Sequence, residues 1–414
     1  MSPRRGLALA AGIAVVVLLV AVLGAVMLMQ PRQLARIALG SVGNALGLEI
    51  AFEGDARYRL RGTPLLEVRD VTMRQPGASE PLLRAGRVLV SLPWSSVRDR
   101  AAPLVLERIE LDAPVVDLAG VQAWLAARPP GDGGLPTLSR GIAVRGGQLL
   151  GEGWALGDLD LDLPSFAAAR PLVAHARGTL ALAAPNRVHF DLQLAATAPA
   201  NGAGASARGR VHVQGADWRI PAYVAASGPV RSDTGVLRVS PLRLGMSGEY
   251  RGTGAPLRMA LGVHGPLRLR DGTWTLVPAA LAVRGEGAVP TLDASGRAGF
   301  GPALLLELDG TMPHWPAAWP ALPAPLDDAS TPFAVTASYA GARDGSSPAL
   351  LQLRRADARA DARFRIADVL AWIQAGTTGS PLPPLDARAS APRIEFAGAV
   401  LEGVEIGIED GEVE

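Results

Sequence analysis

The chain has 414 residues, enough for two or three compact domains; 49% are hydrophobic but only 5% are aromatic. Cysteine is absent, which excludes a disulfide framework and a thiolate metal site; all 40 basic residues are arginine. A net charge of +1 leaves no broad basic field, so nucleic acid is not an expected partner.

The N-terminus carries the first element. Arg4 and Arg5 lie in a short tail, residues 1–5, and an uncharged, proline-free run follows from Gly6 to Met29. As a helix, residues 6–29 reach roughly 36 Å, enough to cross a bilayer with some tilt. A cleaved signal peptide has a shorter apolar run and a small-x-small exit, whereas Met27, Leu28 and Met29 are bulky. The expectation is an uncleaved anchor, with Arg4 and Arg5 cytoplasmic and the rest outside the cytoplasm.

Next, Leu34, Ile37, Ala38, Val42, Ala45 and Leu46 recur at three- and four-residue steps behind Pro31. This spacing predicts an amphipathic helix over residues 31–47, stopped by Gly47. It either packs on the next domain or lies on a membrane surface. From residue 48 the period changes to two. Leu65–Val71, Arg87–Leu92 and Leu104–Leu111 read as strands. In Asp158–Leu163 the aspartates Asp158, Asp160 and Asp162 alternate with leucines. Val188, Phe190, Leu192 and Leu194 alternate with His189, Asp191 and Gln193. Such strands have one wet and one dry face. Gly-Gly, Asp-Gly, Gly-Pro and Pro-Asn pairs read as the turns between them. On the order of 20 strands result, interrupted by short helices around Val121–Leu125 and Ile366–Ile373. Arg128–Leu135, Trp315–Asp328 and Gly376–Leu385 read as loops.

So many half-apolar strands need somewhere to place their dry faces. With few aromatic rings, the reading is mainly β: a long, curved, mostly antiparallel open sheet over residues 48–414, its dry face forming a hydrophobic groove. Lined by Leu, Val and Ala rather than by rings, such a groove stays open. Leu159, Leu161, Phe190 and Leu192 are expected to line it. So are Leu257, Met259, Leu261, Leu304 and Leu306. An acyl chain is the expected ligand, since each CH₂ leaving water contributes about 0.8 kcal/mol.

Ordered motifs then suggest a family. Gly47-Leu48-Glu49-Ile50 precedes Glu53-Gly54-Asp55, and Leu65-Leu66-Glu67-Val68-Arg69-Asp70-Val71 follows. Pro81-Leu82-Leu83-Arg84-Ala85 and Ile109-Glu110-Leu111-Asp112-Ala113-Pro114 come next. Behind an N-terminal span, this order resembles the AsmA family, as do the closing strands around Ile394–Phe396 and Val404–Ile406. The resemblance implies a single-pass protein of the bacterial inner membrane with a periplasmic β body. It also implies similarity to bridge-like lipid transfer proteins and a place in outer-membrane assembly and envelope homeostasis. Phospholipid or another acyl-chain lipid, and envelope proteins, are the partners it implies.

Other chemistry finds little support. Asp158-x-Asp160-x-Asp162 opens like a calcium loop, but Leu163 and Ala169 stand where that loop needs Gly and Glu. The five histidines are dispersed, with no pair at metal spacing, and the tryptophans read as single core or rim anchors. Without lysine neither a Walker loop nor a Ser-x-x-Lys nucleophile can form. No catalytic residue, cofactor or metal is expected. A lipid-handling groove and a scaffold or chaperone for outer-membrane proteins both remain open.

Overall fold

The computed structural model describes residues 35–36, 39–40, 43 and 47–409, except 60, 95–104, 128–136, 152, 168–169, 183–184, 234, 253, 320, 328–329, 376–383 and 397. The expected membrane span, residues 6–29, and the Arg128–Leu135 loop lie outside them. No helix among the described residues is long and apolar enough to cross a membrane. Among the described residues strand dominates, in a mostly antiparallel sheet of 22 strands; a separate two-stranded ladder is parallel. The chain divides into two compact units. One holds residues up to 168 with 176–181, and the other holds 169–175 with 182–414.

The first unit contains β1 (Glu49–Phe52), β2 (Ala56–Arg59), β3 (Leu65–Arg74), β4 (Leu83–Ser91), β5 (Val105–Leu106), β6 (Arg108–Asp112) and β7 (Val115–Asp117). Helix α1 (Leu118–Ala127), β8 (Thr137–Leu138), β9 (Ile142–Gly151) and β10 (Trp154–Leu163) follow. The strand expected over Leu104–Leu111 is two strands, interrupted at Glu107. The Glu107 N–H donates to Ser91 O at 2.8 Å, while β5 pairs with β8 and β6 with β4 and β9. Register places Ala56, Val68, Val88, Leu111, Val144 and Leu161 side by side on one face. Ala35 and Leu39, in a helical stretch, close over this face at Ala56, Val68 and Val71. Ala35 is fully buried and Arg36 is exposed, the two-sided pattern expected of a helix packed on a sheet.

The opposite face of this unit is ionic. Arg87 lies 2.7 Å from Asp112, 3.1 Å from Glu110 and 3.5 Å from Glu67. The hydrogen bond from Arg108 is the main cause holding the Glu110 carboxyl below its ordinary value, with Arg87 adding to it. A depressed carboxyl stabilises the fold above its ordinary value, and that contribution is lost as pH falls through the lower, folded one. Arg87→Met leaves three carboxylates without their shared cation. It should cost about 2 kcal/mol at pH 7 and less at pH 4, because the contribution of the lowered Glu110 carboxyl, which Arg87 helps to hold down, fades as pH falls. Urea melts at the two pH values check this; an equal cost at both would refute it.

β11 (Leu172–Ala181) contributes to both units. The second unit then runs β12 (Arg187–Ala196), β13 (Gly204–Gln214), β14 (Arg219–Asp233), β15 (Val236–Tyr250), β16 (Leu257–Arg270) and β17 (Thr273–Gly285). It continues with β18 (Leu292–Phe300), β19 (Leu304–Met312), β20 (Phe333–Gly341), β21 (Pro348–Arg355) and β22 (Ala358–Arg365). Helix α2 (Ile366–Ala375), β23 (Asp386–Phe396) and β24 (Ala399–Ile408) complete it. From β12 to β24 each strand pairs antiparallel with the next. Both short helices fall where the sequence placed them.

Two of the expected turns are not turns. Gly228-Pro229 and Gly265-Pro266 lie inside β14 and β16. Opposite them, β15 and β17 pass through Ser240-Pro241 and Val277-Pro278 where the register shifts. A proline cannot donate to a ladder, and a bulge gives it a place where no donor is needed. Asp271-Gly272 does turn, with both residues at positive φ between β16 and β17.

Candidate apolar face of the second unit

Cross-strand register resolves the two faces. Leu194, Ala207, Ala226, Leu244, Val263, Leu281 and Ala294 stand opposite one another in turn across β12 to β18. The same row continues through Gly310, Val335, Leu353, Ala360, Ala389 and Ile406 to β24. No member of this row carries a polar side chain. Twelve strand-to-strand steps of about 4.8 Å make it about 58 Å long. A neighbouring row holds Leu192, Gly209, Val224, Met246, Leu261 and Val283. Beyond the proline bulges, Val230, Val239, Leu267, Leu276, Ala298, Leu306 and Tyr339 extend the same face. Leu244, Val263 and Leu281 are half-buried.

Gly296 shows how closely the backbones approach here. Its φ is 158°, and a Cβ would meet the Glu307 carbonyl oxygen at 1.9 Å. Only glycine fits there.

Of the residues expected to line a groove, Phe190, Leu192, Leu257, Met259, Leu261, Leu304 and Leu306 share this face. Their intervening neighbours Asp191, Arg258 and Glu307 occupy the other. Leu159 and Leu161 belong instead to β10 of the first unit, where they pair with Gly147 and Val144. Asp160, between them, accepts from the Gly146 N–H at 2.9 Å and from Arg177 at 2.6 Å. The Gly146 bond, then Arg177, holds its carboxyl below the ordinary value.

Aromatic side chains do close part of the apolar face, against the expectation that rings would be kept out. The chain between β19 and β20 folds back so that Trp315, Trp319 and Leu322 pack around Met312, Phe333, Val335 and Leu353. Trp315 and Trp319 meet edge to face at 4.9 Å, and Trp315 lies 5.4 Å from Phe333. Trp319 Nε1 donates to Ala288 O at 3.0 Å. Arg355, only 6% exposed, donates to Leu326 O at 2.7 Å and sits 4.5 Å over the Phe333 ring. This strap covers the row at Val335 and Leu353. From Leu194 to Ala294 the row carries no such buried cluster among the described residues.

A hollow of about 790 Å³ is lined by consecutive residues on β13 to β18, members of the apolar row such as Leu244 and Val263 together with polar-face residues such as Arg208, Ser227, Arg243, His264 and Asp293. On the polar face His189 and His212 meet edge to face at 6.5 Å across β12 and β13. That pair is not legible along the chain, because it exists only through register. Among the described residues no group of His, Asp and Glu has the arrangement of a metal site.

No protein-family model, curated protein or solved structure matches this chain.

Proposed function

We propose that the second unit carries the acyl chains of phospholipid, or of another lipid, along its apolar face. The unbroken row from Leu194 to Ile406 is the observation that supports this reading. Transferring each CH₂ from water onto such a surface contributes about 0.8 kcal/mol, without any catalytic group. The uncharged run at residues 6–29, and the motif order that resembles the AsmA family, support a matching setting. In that setting the protein is anchored in a bacterial inner membrane, its body lies in the periplasm, and it takes part in outer-membrane assembly and envelope homeostasis.

Photo-crosslinking residues placed at Leu244, on the apolar face, and at Ala282, on the polar face, test the reading. Mass spectrometry of the adducts should find lipid at Leu244 in at least tenfold excess. Equal capture at both positions, or none, would overturn it. A scaffold for outer-membrane proteins is the second reading, favoured by β24. Val400, Leu401 and Ile406 are about half exposed there, and β23 is the only strand paired with β24 among the described residues. An edge strand of this kind can add a client strand. Its signature would be protein, not lipid, captured along β24.

A further inference from the structure

On the polar face of the second unit, cations meet acceptors. Arg210 stands opposite Asp191, Arg208 donates to Gln193, and Arg258 lies 3.5 Å from Glu249. Arg284 pairs with Asp293 at 2.7 Å and Arg297 with Glu307 at 2.5 Å. Two rows on β14 to β16 break this pattern, as does the cross-strand pair Arg354 and Arg359 on β21 and β22. Arg231, Arg238 and Arg268 are direct cross-strand neighbours on β14, β15 and β16. Ser227, Arg243 and His264 form a second row on the same three strands. Among the described residues, Arg238 reaches one carboxylate, Asp233, at 3.5 Å. Arg231, Arg243, Arg268 and His264 reach none.

Like charges placed directly opposite across a ladder destabilise it. Three adjacent arginines therefore work against the sheet unless an anion lies over them. The single charge of the Asp233 carboxylate, which reaches only Arg238, cannot neutralise all three. The row of Arg243 and His264 borders the 790 Å³ hollow, which is also lined by small residues such as Ala225, Gly245 and Gly262, by Leu244 and Val263, and by Asp293, a carboxylate already paired with Arg284. Four or five residues along each strand separate the rows, roughly 13–15 Å, with Pro229, Pro241 and Pro266 between them. Guanidinium forks over hydroxyls match phosphate oxygens in number and geometry.

We propose that these two rows form a recognition surface for a ligand bearing more than one phosphate group. The site lies on the face opposite the proposed acyl-chain surface and does not depend on it. The phosphates could belong to lipid headgroups or to a soluble molecule. The full chain in neutral detergent, titrated with tripolyphosphate, tests the soluble source. Flotation with phosphatidylglycerol against phosphatidylcholine vesicles tests the headgroup source. Binding in either arm should weaken at least tenfold in Arg238→Gln/Arg268→Gln and fall steeply with added salt. The control Arg297→Gln, which removes a paired cation from the same face, should change it less than twofold. The double variant should also melt at a higher temperature than the parent when no anion is present. No binding in either arm, or equal losses in the double variant and the control, would overturn the proposal. Lipid capture at Leu244 should be unchanged in the double variant, so the failure of one reading is distinguishable from the failure of the other.

Discussion

Val263→Glu is expected to reduce acyl-lipid capture at least tenfold. Val263 sits mid-row between Leu244 and Leu281, half-buried on the face with no polar side chain in reach along the row. A carboxylate there is tolerable while water covers it. Under an acyl chain it loses that water, and an unpaired buried charge costs several kcal/mol or forces the group to take up a proton. The matched control is Ser247→Glu. Ser247 is exposed on the polar face and flanked by Tyr223 and Ala260, so a charge there stays hydrated. Co-purified lipid, quantified by mass spectrometry against protein with matched circular dichroism, reads the difference. Similar lipid content in the two variants would rule out the apolar face as the lipid surface.

The parts of this architecture that depend on one strand at a time were legible from the chain. Phe190 and Leu192 alternate with Asp191 and Gln193, and period two alone assigns their faces. The helices Leu118–Ala127 and Ile366–Ala375 were equally local signals. Features that need two strands were not legible. Gly-Pro reads as a turn because most chains turn there, yet β14 and β16 run straight through it, since the strands beside them are bulged at the same level. The Arg231, Arg238 and Arg268 row spans three strands, and a one-residue slip in register would disperse it. The thirteen-member apolar row is of the same kind: each strand supplies one apolar residue, and only the ladder aligns them. The strap was hidden for another reason. A proline-rich stretch with two tryptophans reads as an irregular loop, and nothing local says which surface its rings will cover.

That strap sets how much of the apolar row a ligand could use. Between Leu194 and Ala294 lie six strand-to-strand steps, about 29 Å, or about twice the depth of one bilayer leaflet's hydrocarbon. Beyond Gly310, Trp315 and Trp319 rest over Val335 and Leu353. Removing both rings with Trp315→Ala/Trp319→Ala should have two separable effects. Stability should fall by about 3–5 kcal/mol, since two large, partly buried side chains leave a void and the Trp319 hydrogen bond to Ala288 is lost. A photo-crosslinker at Leu353 should capture lipid several-fold more often than in the parent, while capture at Leu244 stays constant. Trp319→Phe separates the two contributions: it keeps most of the packing, loses the hydrogen bond, and should cost about 1 kcal/mol without opening Leu353. A stability loss with no gain at Leu353 would mean the strap serves packing alone, and the lipid surface would then end before Gly310 with or without it.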